Sequence, residues 1–314
     1  MQATHFNADE LAAQRLAGGG PRGDGIRDFM HEQYRDFFSQ LPYLFVGGID
    51  AAGWPLAGML TGQPGFVQSP NAVTLQISAL PDPNDPAAQA LLPGRGIGLL
   101  GIDLATRWRV RANGNVVNRD AAGIRVAVAQ SFGNCPQYIQ RRSILPPLRA
   151  ASGTEPMAAD VFDRLDEAAR AAIAAADTFF VASRSLALEG AAYGADISHR
   201  GGRPGFIRID DEHGGGNVLT IPDFRGNRYF NTLGNLMVEP RASLLFVDFE
   251  SGDLLQLQGT AEVDWNGAAA QRFPGAERLW RFHVVRGWRR RAASPLRWSF
   301  LDYSPTTMQT GSWS

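Results

Sequence analysis

The 314-residue chain contains no lysine; all 30 of its Lys+Arg residues are arginine. That absence excludes a Schiff base to pyridoxal phosphate or a carbonyl substrate, a P-loop lysine, and any amine nucleophile. Any phosphate the chain holds must be met by arginine, backbone amides or hydroxyls. Cysteine is nearly absent too, and Cys135 alone cannot form an internal disulfide. The five histidines (His5, His31, His199, His213 and His283) never pair at metal-ligand spacing, so no zinc, iron–sulfur or other metal centre is expected. No window reaches the roughly eighteen apolar residues of a membrane helix. The stretch MQATHFNADELAAQRLAGGG lacks a basic region followed by an apolar one, which makes a cytoplasmic location the expectation. Charge of one sign is missing as well: 30 positive against 31 negative groups leave a formal net charge of -1, so no overall field draws the chain to nucleic acid or membrane.

What is present describes a globular, loop-rich chain, with 44% apolar residues, 35 Gly and 19 Pro. At about 150 residues per domain, the length predicts two domains. An internal repeat supports this. Gln63-Pro64-Gly65-Phe66-Val67 recurs as Arg203-Pro204-Gly205-Phe206-Ile207, an offset of 140. Leu99-Leu100, Asp103 and Gly114 recur as Leu244-Leu245, Asp248 and Gly259, an offset of 145, and LFV at 44–46 resembles FFV at 179–181, an offset of 135. Two copies are too few for a solenoid. The expected organisation is a helical segment over 1–40, a first repeat over 41–150, and a linker helix, second repeat and C-terminal segment over 151–314, with the boundary in PPLRAASGTEP.

Within each copy the pattern is of strand type. The first gives YLFVGGID (43–50), AVTLQIS (72–78), GIGLLGIDL (96–104) and RWRVRANGNVVN (107–118); the second gives VLTI (218–221), ASLLFVDF (242–249) and DLLQLQGTAEVDW (253–265). Leu255, Leu257 and Gly259 alternate with Gln256 and Gln258, and Ser251-Gly252-Asp253 makes a turn. These runs predict antiparallel meanders closing on themselves. Helices are expected from Asp24 through Ile26, Phe29, Met30, Tyr34, Phe37 and Phe38, and over 158–176 with Val161, Leu165, Ala169 and Ile173 on one face.

Three motifs do not carry chemistry. Gly96-Ile97-Gly98-Leu99-Leu100-Gly101 matches a dinucleotide fingerprint, but Pro93 precedes it and a strand follows. His213-Gly214-Gly215-Gly216 has no G-x-S-x-G to serve and reads as a flexible hairpin loop. Cys135 reads as a small residue at a turn.

One constellation remains. Ser198-His199-Arg200-Gly201-Gly202-Arg203-Pro204-Gly205-Phe206 and Ile221-Pro222-Asp223-Phe224-Arg225-Gly226-Asn227-Arg228 flank one hairpin, followed by Asn231-Thr232-Leu233-Gly234-Asn235. Glycines permit close backbone approach and guanidinium forks match phosphate oxygens, each such bond giving roughly 1.5–3 kcal/mol. In the first copy Met59, Leu60 and Thr61 stand at the positions of His199, Arg200 and Gly201, and Leu80 and Asp82 at those of Arg225 and Asn227. Charges kept only for solubility would appear in both copies. Their restriction to the second predicts one site there and a degenerate one in the first.

SHRGGRPGF, IPDFRGNRYFNTLGN, EPRASLLFVDFESGDLLQLQG and QSFGNCPQYIQRR together resemble the flavin-nucleotide-binding proteins of the pyridoxamine 5'-phosphate oxidase-like superfamily, over residues 30–305. The resemblance implies a mainly β fold with flanking helices: two tandem antiparallel split β-barrels forming an internal pseudo-dimer, with FMN at the barrel–barrel interface. It implies Arg200, Arg225 and Arg228 as phosphate ligands, with Ser198 and His199 beside them. Asp223, Asn227, Thr232 and Asn235 would meet the ribityl chain or ring, and Pro222 and Phe206 the ring's apolar side. Arg297 and Trp298 would reach the flavin from the C-terminal segment. The sequence departs from the namesake oxidases in having Arg225-Gly226-Asn227-Arg228 where they have an Arg-Lys pair, and Leu254 at their flavin-binding Gln position. Arg107, Arg109 and Arg111 alternate on a strand and are expected at a solvated surface or an interface.

The function expected is that of an FMN-binding, flavin-dependent oxidoreductase acting on a small molecule, with no catalytic acid or base assigned. The alternative is a non-catalytic flavin-binding, redox-sensing or electron-transfer module. Haem or a deazaflavin is a weaker third reading, as some split barrels bind these. NAD(P)H or an electron-transfer partner, and homodimerisation, are left open.

Overall fold

The computed structural model describes residues 5–146, 158–187, 190, 194–210 and 217–313. Two helices lead, α1 (Ala8–Leu16) and α2 (Glu32–Gln40). A first group of strands follows: β1 (Tyr43–Ile49), β2 (Pro55–Thr61), β3 (Val67–Asn71), β4 (Thr74–Ile77), β5 (Gly96–Asp103), β6 (Trp108–Asp120) and β7 (Gly123–Gly133). Next come β8 (Arg141–Ile144), β9 (Asp160–Phe162) and α3 (Glu167–Ala175). The second group is β10 (Thr178–Arg184), β11 (Ala195–Gly201), β12 (Arg208–Asp210), β13 (Val218–Phe224), α4 (Asn231–Val238), β14 (Arg241–Val247), β15 (Leu254–Asp264) and β16 (Ala276–Arg290), and β17 (Trp298–Asp302) pairs with β8.

The internal repeat is a repeat of topology. One sheet runs β2-β1-β5-β6-β7-β4-β3 and the other β11-β10-β14-β15-β16-β13-β12, the same order with every strand number raised by nine. The chain is thus mainly β with flanking helices, two tandem antiparallel split barrels packed as an internal pseudo-dimer. Pairing registers refine the sequence offsets. Gln68 faces Gln76 and Arg208 faces Thr220, so β13 follows β4 at an offset of 144, not 145. Counting on from there, Arg225 and Asn227 correspond to Pro81 and Pro83 rather than Leu80 and Asp82, and neither position is basic.

The repeated Asp-to-Gly spacing has a physical cause. Gly114 and Gly259 each sit at a register shift where their long strand bulges. A Cβ at Gly114 would lie 1.9 Å from the Ala127 carbonyl oxygen, and one at Gly259 2.2 Å from that of His283. Strand alternation on β15 sends Leu255 and Leu257 into the second barrel's core and Leu254 toward the first barrel. A separate apolar cluster joins the sheets through Tyr43, Phe45, Leu100, Phe180, Ile197 and Leu245, and the rings of Phe45 and Phe180 stack with centroids 3.5 Å apart.

The helices differ from expectation. Asp24 does not start a helix: Arg27 pairs with Ser131 at the edge of the first sheet, Ile26 packs with Phe6 and Phe132, and α2 begins only after His31. The helix expected over 158–176 is confined to α3, capped by the Asp166 side chain on the Ala169 amide. Ahead of it, β9 extends the end of β16 and Val161 is exposed. α1 falls within the segment over 1–40 expected to be helical, although no helix was delimited there; α4 was not anticipated. The expected boundary near 150 and the His213 loop lie outside the described residues. No helix among the described residues is long and apolar enough to cross a membrane.

Candidate functional site

A cleft opens where the first barrel meets the second. From the first barrel, β6 contributes Arg109 and Arg111, and the segment after β7 contributes Asn134, Gln137 and Tyr138. From the second come Ser198, His199 and Arg200 on β11, Asp223 and Phe224 at the end of β13, Gly226, Asn227 and Arg228 just after it, the start of α4, and Glu277 with Arg278 on β16.

Arg111 is 4% exposed and ion-pairs with Asp196 at 3.1 Å while donating to Ser198 Oγ. Asp196 also accepts from Asn113 at 2.6 Å and Asn235 at 2.8 Å. Thr232 Oγ1 donates to Ser198 Oγ at 2.9 Å. Deeper along β13, Asp223 accepts from Arg278 and lies 3.9 Å from Arg200. Glu277 joins Arg278 at 3.0 Å and Arg228 at 3.1 Å. Arg109 is different. Its Nε donates to the Cys135 carbonyl at 2.8 Å, one terminal nitrogen meets His199 Nδ1 at 3.3 Å, and among the described residues it has no carboxylate partner.

Desolvation, then repulsion from Arg200 and Arg111, pushes Arg109 down to about 9, which leaves it cationic at neutral pH. Burial followed by the charges of Arg109 and Arg200 drives His199 well below the usual imidazole range. His199 is therefore neutral; Arg109 can only donate, so Nδ1 accepts and Nε2 carries the proton. Among the described residues that Nε2 is buried without a partner, as are Nε of Arg111 and of Arg200. Burial raises the Asp223 carboxyl, opposed by Arg200 and Arg278.

The first turn of α4 faces the same space. Its N-cap, Phe230, supplies no side-chain acceptor, which leaves the leading amides open. Phe230, Arg228 and Tyr138 all line the cleft with φ near +60°, a region that is costly for residues with a Cβ.

Of the residues expected at a site, the fold brings together Ser198, His199, Arg200, Asp223, Asn227, Arg228 and Thr232. Six others do not line the cleft. Arg225 points to solvent, and its carbonyl accepts from Tyr138 Oη at 3.2 Å. Asn235, one helical turn in, is committed to Asp196 and Ser183. Pro222 is buried on β13, and Phe206 belongs to the second barrel's core against Phe179. Arg297 folds back on the carbonyls of Ser294 and Leu296, and Trp298 packs between Tyr43 and Phe249.

Arg109 and Arg111, expected at a solvated surface or an interface, line the cleft between the barrels. Their alternation was visible in the sequence, but which face it presented was not. Arg107 leaves the stripe: with φ of 62° it precedes the strand and bonds the Ile139 carbonyl and Asp302. Tyr138 and Phe224 lay inside quoted motifs without being singled out, and Arg278 carried no signal of its own.

α1 closes one side. Glu10 is buried, accepts from the Asn7 amide at 2.8 Å and from Asn231 Nδ2, and is raised to about 8 by desolvation and by Asp196. A raised folded pKa means the folded chain keeps this proton after the unfolded chain has lost it. Stability from this group is thus full below about pH 4.5 and falls as pH rises toward 8. Glu10→Gln, which retains the capping contact, should flatten that decline in urea melts taken across this window.

No protein-family model matches the sequence, and no curated protein does. Among solved structures the chain is similar to HupZ of Group A Streptococcus, at 16% identity over 38% of this chain and 89% of that one, with a TM-score of 0.29. It is also similar to HutZ, the heme storage protein from Vibrio cholerae, at 12% identity over 41% and 95%, with a TM-score of 0.28. A third is a Clostridium acetobutylicum protein related to general stress protein 26 and described as of the pyridoxinephosphate oxidase family, at 14% over 43% and 92%, with a TM-score of 0.28. Likenesses at this level assign neither ligand nor reaction to this chain.

Proposed function

We propose that the cleft binds flavin mononucleotide, with its phosphate against Arg109, Arg111, Arg200 and the first turn of α4, and that the protein is a flavin-dependent oxidoreductase. The observation that carries this reading is Arg109, a cation held between the barrels with no carboxylate partner among the described residues. A partly buried charge without a counterion is costly, so an anionic ligand has both room and reason to bind there. The orphaned donors fit the group: His199 Nε2, Arg111 Nε and Arg200 Nε match phosphate or ribityl oxygens, and open amides at a helix N-terminus favour an anion. Tyr138 and Phe224, stacked with centroids 5.1 Å apart, offer an aromatic face to the ring.

The bound flavin would supply the electron transfer; this chain's residues orient it and set its field. Arginines around it would favour an anionic form. The neutral His199 donates a hydrogen bond rather than acting as a strong acid. A neutral His199 that only positions the ligand also suits the second reading, a flavin-binding module without catalysis.

Reconstitution separates these outcomes. FMN should bind about 30-fold more tightly than riboflavin, as roughly 2 kcal/mol of charge-assisted bonding requires. Bound flavin that is reduced by NADH or NADPH under anaerobic conditions and reoxidised by an acceptor supports the oxidoreductase. Flavin that stays oxidised supports the module. Failure to bind flavin, or a Soret band in its place, overturns both.

A further inference from the structure

The first barrel's counterpart of this cleft is closed, and a carboxylate closes it. Registers match the two places residue by residue. Leu100 faces Arg111 and Leu245 faces Gln256, so Gln256 stands where Arg111 does, and Leu254 where Arg109 does. Val46 faces Gly58 as Val181 faces Ser198. Over Gly58 lies a single 3-10 turn, Pro86–Gln89, so close that a Cβ on the glycine would come within 2.6 Å of the Ala87 Cβ; over Ser198 lies Thr232 of α4. Ala87 and Thr232 are both second residues of their helices.

The two differ at the N-cap. Phe230 offers α4 nothing, whereas Asp85 caps the 3-10 turn, its Oδ1 accepting from the Ala87 amide at 2.9 Å and from Gln256 Nε2 at 2.8 Å. Its Oδ2 accepts from Arg290 at 2.8 Å, and Arg290 stands where Asn134 lines the open cleft. Asp85 is 3% exposed and Arg290 5%. A helix-start amide, a strand side chain and an arginine from the neighbouring strand thus converge on one anion, and that anion belongs to the chain.

We infer that the Asp85 carboxylate is the built-in occupant of the first barrel's site, standing where an external oxyanion stands in the second, so that one chain takes one anionic ligand. Only the identity of the external ligand rests on the flavin-nucleotide reading; the closed site does not depend on it.

The test uses the full chain with Asp85→Ala, which leaves Arg290, Gln256 and the Ala87 amide around a space of formate size. Formate, compared with chloride at equal ionic strength, should raise the unfolding midpoint of this variant by roughly twice the wild-type shift or more. If the variant folds poorly, its refolding yield in formate against chloride is the readout. Asp85→Asn, whose amide fills the space, should show no such response. Equal formate shifts in Asp85→Ala and wild type, or an equal response in Asp85→Asn, overturn the inference, as does binding of two FMN per wild-type chain. Formate rescue without any FMN binding sinks the flavin reading and leaves this one standing.

Discussion

Replacing Arg111 by methionine is expected to remove about 3–5 kcal/mol of stability and to weaken FMN binding by at least ~30-fold. Methionine keeps much of the stem, so the packing against the Phe132 ring, 5.2 Å from the guanidinium carbon, largely survives. The charge does not. Asp196 would retain Asn113 and Asn235 as donors but would be a buried carboxylate facing no cation. That uncompensated charge, more than the lost bond itself, sets the size of the effect. Urea denaturation reads the stability and FMN fluorescence titration the affinity. Adding Asp196→Asn to the variant should recover part of the stability and none of the binding. A stability loss below about 1 kcal/mol, the range of surface pairs, would show that the Arg111–Asp196 pair is solvated.

Phe180→Ala should cost about 3–5 kcal/mol, the range for deleting a buried aromatic ring. Phe180 is fully buried, stacks on Phe45 of the other barrel, and presents its edge to His199 with centroids 5.7 Å apart. One ring therefore supports both the junction between the sheets and the floor of the cleft. Loss of FMN affinity should accompany loss of stability, whereas Phe206→Leu, confined to the second barrel's core, should lower stability and leave FMN affinity within about twofold. Equal losses of affinity in both variants would mean that binding follows overall stability and not the junction.

Much of this was legible in the sequence because strands alternate and repeats align. The alternation of Leu255, Leu257 and Gly259 with Gln256 and Gln258 announced a strand, and Gly114 and Gly259 helped mark the repeat; that the glutamine face is buried too and that both glycines sit at bulges appeared only once the sheets were paired. Helix limits were less legible. The Ile26 to Phe38 spacing suits a helix, but Ile26 is buried against Phe6 and Phe132 and Arg27 is held by Ser131, both contacts distant in sequence. The site divided in the same way. Ser198, His199 and Arg200 sit on one strand and could be read from a motif; Arg109 and Arg111 enter from the other barrel, and no local pattern reveals which face meets a partner ninety or so residues away. Arg225 looked like Arg200 in composition, and only the turn that exposes it tells them apart.

The join between the barrels has a consequence for how this molecule can change. In a two-fold assembly of identical chains every substitution is made twice, once in each related site, so a carboxylate that blocks one blocks both. Here the halves are covalently linked and each position is encoded once. Asp85 and Phe230 hold corresponding places with opposite chemistry, a pairing that strict rotational symmetry forbids. The tandem chain can therefore spend one half on scaffolding while the other keeps its ligand, and a change such as Leu254 for an arginine need not touch the site that Arg109 serves.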